Sequence, residues 1–404
     1  MSKRDAVLIV GGGALQVPLV REAQALGLLP LVTDRNPHAP AFKLSGVQPF
    51  VLDTYDVAGH EELTRDLLRI YAIRGVCTAG SDTAPTVAAA AAVAGTPAIP
   101  LQVAQSTHNK LYVRNYLGEN LDEYQPSWWV TGSFLAPHLP YPVVVKPLTQ
   151  RGSRGVSFVQ NYHAFETAIK VAQSYGPQYL IEQCLTGTEH SVEGLFGNDG
   201  ELLWFNIVDR FFDYSSGVPI ETGHVNPSAL APLDCGALKI MFAEVAYALG
   251  ITWGPFKIDA LLTPEGHPKV LECTARLSGG WDCQGTSPMT ARNPMRALLQ
   301  LACDLPVDAP LTWKPLQGYA ACAAILPQQT GLVRALPQWW AQSVMGYPQK
   351  VIWAIQPGET LAPATHNGNR AGFCLAWGTT HGEAWSRAHQ AADALAESIE
   401  VAPC

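Results

Sequence analysis

Two carboxylates in the second half of this sequence have the surroundings of a cation site. Asp259 lies in the apolar run FKIDALL and Glu272 in KVLECTARL, with a turn signal at Pro264 to Pro268 containing Gly266 between them. If the two runs pair as a hairpin, the carboxylates stand side by side. Like charges that close raise one pKa unless a cation compensates. Mg2+ takes carboxylates together with phosphate oxygens in an octahedral shell, which accounts for the pair. Arg276 follows four residues after Glu272, past the strand's end, where a guanidinium can reach charge developing on a phosphoryl group. Lys257 shares a strand face with Asp259 by period two, and either reaches phosphate or pairs with a carboxylate. The structural alternative is two acids solvated on edge strands.

Upstream lies a matching set of cationic and backbone groups. Lys146 ends the apolar strand VVVK and Pro147 stops the ladder after it. A buried strand that delivers one ammonium to its mouth needs an anionic partner. The next segment, TQRGSRGV, spaces Gly152 and Gly155 around Ser153 and Arg154. Such a loop lays N–H groups over phosphates while Arg151 or Arg154 adds charge, or is an ordinary hairpin loop. In YLIEQCLTGTEHSVEG a strand carries Glu182 into Gln183, Cys184 and Leu185, an acceptor and backbone edge suited to adenine. Glu189, beyond the Gly187 turn, can accept from ribose hydroxyls, or both acids are solvated at strand ends.

The elements that position these residues follow from periodicity. AVLIVGGG (Ala6 to Gly13), a helical pattern from Pro18 to Leu26, and LLPLVTD (Leu28 to Asp34) give strand, helix, strand. That order calls for a right-handed parallel crossover. QPFVLDTYD, a helix from Glu61 to Tyr71, GVCTAGSD and the alanine helix Val87 to Ala94 continue it to Pro100, a doubly wound domain. Gly11 to Gly13 invite a dinucleotide reading, but Gln16 stands where the third glycine belongs and Asp34 opens a turn, so a structural or substrate-lining turn is preferred. Beyond Pro100 the grammar is α+β. It comprises helices Asn109 to Leu117, Ala164 to Tyr175, Gly236 to Leu249, Leu298 to Asp304 and His381 to Glu397, with hairpins turning at Asn198 to Gly200 and Pro264 to Pro268. The expected domains are residues 1–105 (Rossmann-like), 106–187 (linker helix and lid), 188–317 (central) and 318–404 (a small α+β module).

Composition bounds the function. The chain has 404 residues, two to three domains at ~150 residues each. Apolar residues make up 48% against 15% charged, which supports a large core and excludes general disorder. A net charge of −8 argues against a nucleic-acid binder. Nine scattered cysteines without a C-x-x-C pair fit reduced thiols rather than zinc or a disulfide framework. No apolar stretch suits a signal peptide or membrane span, so a soluble cytoplasmic protein is expected, without nucleic-acid or membrane partners.

These motifs resemble the ATP-grasp superfamily over nearly the whole chain: GGG…D, GSD, Asn109-Lys110, VVKP, the glycine loop, IEQ, GTEHSVEG, ID and LECTARLSGG. The resemblance implies ATP and Mg2+ (or Mn2+). Lys110 and Lys146 would contact phosphates, Gly152, Ser153 and Gly155 would form a lid, and Glu182 with the Gln183, Cys184 and Leu185 backbone would frame adenine. Glu189 would take ribose, and Asp259 and Glu272 the metal. The family pattern E-x-N-x-R has Thr274 in place of Asn, and a hydroxyl ligates Mg2+ more weakly. Biotin-dependent carboxylases share the domain order but carry Val-Glu-His after the arginine, where this chain has LSGGWDCQG. Gly279 and Gly280 there offer unhindered N–H groups to an acyl phosphate. IETGHVNPSAL is similar to the segment of L-amino acid ligases that holds the amino acid, with Glu221 on the α-ammonium and His224 on the carboxylate or acyl phosphate. A loop histidine satisfied by backbone is the alternative. Trp281, next to the glycine pair, would wall the substrate pocket or point into the core. The resemblance thus implies a carboxylate–amine ligase acting through an acyl phosphate on small-molecule substrates, in a family that often dimerises. The rivals are a bicarbonate-using or purine-pathway relative and a silent nucleotide-binding protein.

Overall fold

Short strands buried on both faces alternate with helices at the start of the chain, and a parallel sheet results. The strands β1 (Arg4–Val10), β2 (Leu29–Asp34), β3 (Gln48–Val51) and β4 (Tyr71–Cys77) lie in the order β3-β2-β1-β4, all parallel. They alternate with α1 (Val17–Ala25), α2 (Val57–Ile70) and α3 (Ala84–Ala94). This is a computed structural model, and it describes residues 3–118, 120–133, 136–150, 152–289, 293–307, 318–337 and 349–402. Asp34 settles the N-terminal turn: its carboxylate accepts from Gly12 N at 2.9 Å and Asn36 N at 2.8 Å. The glycine triplet is thereby braced by its own domain.

After α4 (Leu101–Ser106), Asn109 caps α5 (Lys110–Leu117) by accepting from Leu111 N and Tyr112 N. A four-stranded antiparallel sheet follows, ordered β5-β8-β6-β7, from β5 (Trp128–Val130), β6 (Val143–Pro147), β7 (Ser157–Val159) and β8 (Tyr179–Gln183). Helix α6 (Tyr162–Gln173) packs on one face, burying Phe165, Ala168 and Ala172 against Val143, Val145 and Ile181.

The largest layer is an eight-stranded antiparallel sheet. Its first part holds β9 (Thr188–Phe196), β10 (Leu202–Asp213), β11 (Ile220–Asn226), β12 (Gly254–Leu262) and β13 (Pro268–Thr274). Helix α7 (Pro232–Ala248) covers one face, where Leu238, Met241, Phe242 and Val245 meet Val192, Phe256, Ile258 and Ala260. Period two turns Lys257 and Asp259 to the other face. The short α8 (Ser287–Met289) and α9 (Pro294–Ala302) follow, then β14 (Tyr319–Ile325), β15 (Gly331–Ala335), β16 (Gln349–Trp353), β17 (Thr360–Leu361) and β18 (Gly372–Gly378). Helix α10 (His381–Glu397) and β19 (Glu400–Ala402) end the described chain.

The C-terminal residues differ from the expected separate module. β14 pairs with β11, and β18 and β16 continue outward, so three of these strands complete the central sheet. Among the described residues, β17, β15 and β19 form a small sheet of their own. Helix α10 seals this end through Ala384, Ala388, Ala391 and Leu395. Among the described residues no helix is long and apolar enough to cross a membrane.

Candidate active site

A cleft of about 690 Å³ opens between the four-stranded sheet and the polar face of the central sheet. Eleven residues singled out from the sequence line it: Lys110, Lys146, Gly152, Ser153, Glu182, Gln183, Cys184, Leu185, Glu189, Asp259 and Glu272. The hairpin β12–β13 pairs in the register that sets Asp259 directly opposite Glu272, and Lys257 opposite Thr274. Its turn is closed by Gly266 N donating to Thr263 O at 2.9 Å, with Gly266 at φ 81°.

Each carboxylate of the pair is held by cations. Asp259 meets Lys257 Nζ at 2.7 Å and the guanidinium of Arg210; Glu272 Oε1 lies 3.2 Å from Lys110 Nζ. The buried hydroxyl of Thr274 has no hydrogen-bond partner among the described residues. Two cross-strand carboxylates and an open hydroxyl are a hard-oxygen donor set, which fits Mg2+. Among the described residues no three His, Cys, Asp or Glu side chains gather for a metal, so a ligand would have to supply the rest of the shell.

Glu182 is arranged differently from the expectation. Its oxygens accept from Arg114 Nε at 2.8 Å and Lys146 Nζ at 2.6 Å, and the carboxylate is buried. Burial alone would raise its pKa, but Arg114 and then Lys146 outweigh that and hold it below the ordinary carboxylate range. It therefore orients Lys146 instead of presenting a free acceptor to adenine. Burial in turn pulls Lys146 below the usual lysine range, against the attraction of Glu182. Two cations on one carboxylate leave one positive charge in excess, and a buried excess favours an anionic ligand. The amides of Gln183 and Cys184 are spent on Ser127 O (2.8 Å) and Pro142 O (3.1 Å), whereas the Leu185 amide has no bond among the described residues.

The glycine loop splits in two. Gly152 and Ser153, both at φ 63°, line the cleft. Gly155 sits at the loop's base, where a Cβ would lie 2.7 Å from both Pro147 Cγ and Tyr175 Cδ2, so its lack of a side chain serves packing. Arg154 is exposed, and Arg151 lies outside the described residues. Glu189 accepts from the Tyr214 hydroxyl, and burial raises its pKa.

Four residues in the substrate region require correction or refinement. His224 is not in a loop and does not line the cleft. It lies on β11 at 1% exposure, with Nε2 3.0 Å from Thr286 Oγ1 and Nδ1 3.2 Å from Asp282 Oδ1. Trp281 likewise turns inward, at 5% exposure, packing with Cys322, Leu375 and Phe373. Both are buried because β14 and β18 complete the sheet behind them. Glu221 already accepts from Arg210 Nε (2.9 Å) and Arg370 Nη1 (3.2 Å), and these arginines outweigh burial to hold it well below the carboxylate range. Arg276 does not line the cleft either. Its Nε and Nη2 grip Asp82 at 2.8 and 2.7 Å, fastening the central sheet to the GSD loop. Gly279 abuts that loop: a Cβ on it would lie 2.8 Å from Gly80 O. A Cβ on Gly280 would stand 3.8 Å from Glu221 Oε1, so the glycine pair and Glu221 do come together.

Arg114, Asn367 and Arg370 were missed, as was the pairing of Arg210 with Asp259 and Glu221. Arg114 had a signal, because Lys110, Val113, Arg114 and Leu117 repeat at helical spacing and all are buried on α5. A charge on such a stripe needs a partner. Arg210 sits in an aromatic strand, and Asn367 and Arg370 in a polar turn, HNGNR, that looks like solvent-facing loop.

With this geometry described, likeness to known proteins can be placed on it. Residues 139–284 match the model of the ATP-grasp domain. Dapdiamide A synthase of Enterobacter agglomerans is 29% identical over 157 residues, 37% of this chain and 36% of that protein. D-alanine–D-alanine ligase of Halorhodospira halophila (strain DSM 244 / SL1) is 31% identical over 134 residues, 33% of this chain and 43% of that one. The match thus spans less than half of either relative. The crystal structure of L-amino acid ligase from Bacillus licheniformis superposes with a TM-score of 0.80 at 22% identity, covering 100% of both chains. The whole chain therefore shares the fold of that L-amino acid ligase, and residues 139–284 match the ATP-grasp domain.

Proposed function

We propose that the chain is an ATP- and Mg2+-dependent ligase that joins a carboxylate, such as that of an amino acid, to an amine, releasing ADP and phosphate. The observation that carries this reading is one cleft that brings together two charge sets: Asp259 beside Glu272 on the central sheet, and Lys146, which shares Glu182 with the buried Arg114 behind it. The first suits a hard cation and the second suits phosphate oxygens.

In this reading a substrate carboxylate oxygen attacks the γ-phosphorus of ATP. An O–P bond forms, the bond to the β-phosphate oxygen breaks, and ADP leaves. The amine nitrogen then attacks the acyl carbon, expelling phosphate and losing a proton. Mg2+, held by Asp259, Glu272 and Thr274, would supply charge neutralisation at the phosphates. Lys110 and Lys146 bind and orient the phosphates, and Gly152 and Ser153 cover them. Arg276, held by Asp82 within electrostatic reach of Asp259 and Glu272, balances their charge. Glu221 and the Gly279–Gly280 backbone frame the acyl group. Catalysis here is positioning and electrostatics, so no covalent nucleophile is needed. Support comes from the cleft's charge pattern, and from relatives named as D-alanine–D-alanine ligase and dapdiamide A synthase.

The deciding experiment incubates the protein with ATP, Mg2+ and pairs drawn from an amino-acid panel, following ADP and product mass. The expected result is ADP formation dependent on both substrates, with a new mass equal to their sum minus water. ADP formation that depends on bicarbonate instead, or none with any pair, overturns the reading.

A further inference from the structure

The turn at residues 366–370 comes from the far end of the chain and reaches the cleft. It is closed locally by Gly368 N donating to His366 Nδ1 and Asn369 N donating to His366 O, both at 3.0 Å. At its tip Asn367 uses all four of its polar groups, three of them on two other segments and the fourth within its own turn. Its amide N donates to Gly152 O at 3.2 Å and its Nδ2 to Ser153 Oγ at 3.2 Å, both in the glycine loop. Its Oδ1 accepts from Glu221 N at 2.8 Å, on β11. Its carbonyl accepts from Arg370 Nε at 2.8 Å, and Arg370 Nη1 reaches Glu221 Oε2 at 3.2 Å. The approach is tight: a Cβ on Gly368 would lie 3.3 Å from Arg154 Nη2. A primary amide is the side chain that donates and accepts from one end, as a clasp between a hydroxyl and an N–H requires.

We infer that Asn367 is a positioning residue that clasps the glycine loop to the strand bearing Glu221, so that closure of the loop and the setting of Glu221 are one event. The clasp stands on the contacts above; that the loop closes over a nucleotide rests on the ATP-dependent reading. Neither substrate need touch Asn367. Occupancy at one end changes the cost of ordering the other, which is a coupling free energy between two sites.

The test uses the full chain and limited trypsin. The exposed Arg154 reports loop opening, and Arg69, on the far domain with 80% side-chain exposure, reports general opening. Asn367→Leu removes both side-chain bonds and keeps the branched shape. Cleavage after Arg154 should accelerate about tenfold relative to Arg69, the expected loss for two net hydrogen bonds. Glu221→Gln frees Arg370 at the other end, and should also accelerate the Arg154 cut in the native background but not beside Asn367→Leu. A merely structural Asn367 would not give that dependence. Should Asn367→Leu fail to fold, Ser153→Ala removes the loop-side bond alone and should move Arg154 cleavage in the same direction. An unchanged Arg154-to-Arg69 ratio, or an equal effect of Glu221→Gln in both backgrounds, overturns the clasp. Calorimetric titration with Mg2+ and β,γ-imido-ATP separates the two claims. Absent binding to the native chain overturns the nucleotide reading while the protease result still decides the clasp.

Discussion

Glu182 and Lys146 are joined in the fold but respond to substitution in different ways. Glu182→Gln leaves Arg114 and Lys146 buried without a counter-charge, and breaking a buried pair from one side costs roughly 3–5 kcal/mol. Lys146→Met leaves Glu182 still paired with Arg114 at 2.8 Å, so it should cost less stability while weakening ATP binding more. Urea unfolding of both variants, with nucleotide titrations alongside, checks this; equal midpoints would mean that the carboxylate is not shared. Glu272 sits on the metal side of the cleft and has another signature. Glu272→Gln should remove ADP formation and spare most nucleotide affinity, because the change removes a cation ligand and no base contact. Turnover surviving within about tenfold, a barrier change below ~1.4 kcal/mol, would take Glu272 out of the metal site.

At the scale of elements, the segment after β13 shows how burial redirects a side chain. Trp281 has φ 74°, a left-handed conformation that turns the chain into the wide π-helical turn Asp282–Thr286, where Thr286 N donates to Trp281 O at 2.9 Å. Its indole then lies 6.2 Å, centroid to centroid, from Phe373 on β18. Trp281→Ala should therefore cost on the order of 3–5 kcal/mol of stability, as large-to-small core changes do. Activity should fall alike on every accepted substrate, and melting temperature measured beside a substrate profile tests it. A broadened profile at unchanged melting temperature would put the indole in the pocket. The same contrast marks what the sequence could express. The first parallel sheet and the β12–β13 hairpin are local, carried by period and turn residues, so Asp259 and Glu272 were foreseeable as neighbours. The burial of His224 and Trp281 was not, because it depends on Gly223 pairing with Ala323 and Ala323 with Cys374, contacts between distant stretches. Nor does anything local in HNGNR announce that Asn367 reaches the glycine loop. Arg114 was the readable exception, a charge repeating with Val113 and Leu117 on a buried helical stripe.

Across the whole molecule, several buried or largely buried carboxylates tilt stability with pH, and not all in the same direction. In Glu182, Asp209 and Glu221 burial pushes the pKa upward, but Arg114 and Lys146, His190 and His381, and Arg210 and Arg370 respectively outweigh it. Their folded values lie below the unfolded ones, so their contribution is present above the ordinary carboxylate range. It is lost as pH falls through those lower values, which places acid unfolding below about pH 4. Glu193 runs the other way. It is fully buried on β9, its Oε2 accepts from Ser278 N and Cys283 Sγ at 3.0 Å each, and burial followed by Asp282 raises it above the ordinary 4.5. Below pH 4.5 both folded and unfolded chains hold its proton, and nothing is lost. As pH rises past that value the unfolded chain releases the proton first, so the native state loses relative stability up to the folded pKa. Glu193→Gln keeps an acceptor for Ser278 and Cys283 but cannot titrate. Its stability relative to the native chain should therefore climb as pH rises above about 4.5 and level off once the pH passes the folded pKa, read from urea midpoints at each pH. If the two curves stay parallel over that range, Glu193 is ionised inside the fold, and a cation must lie beside it to hold that charge.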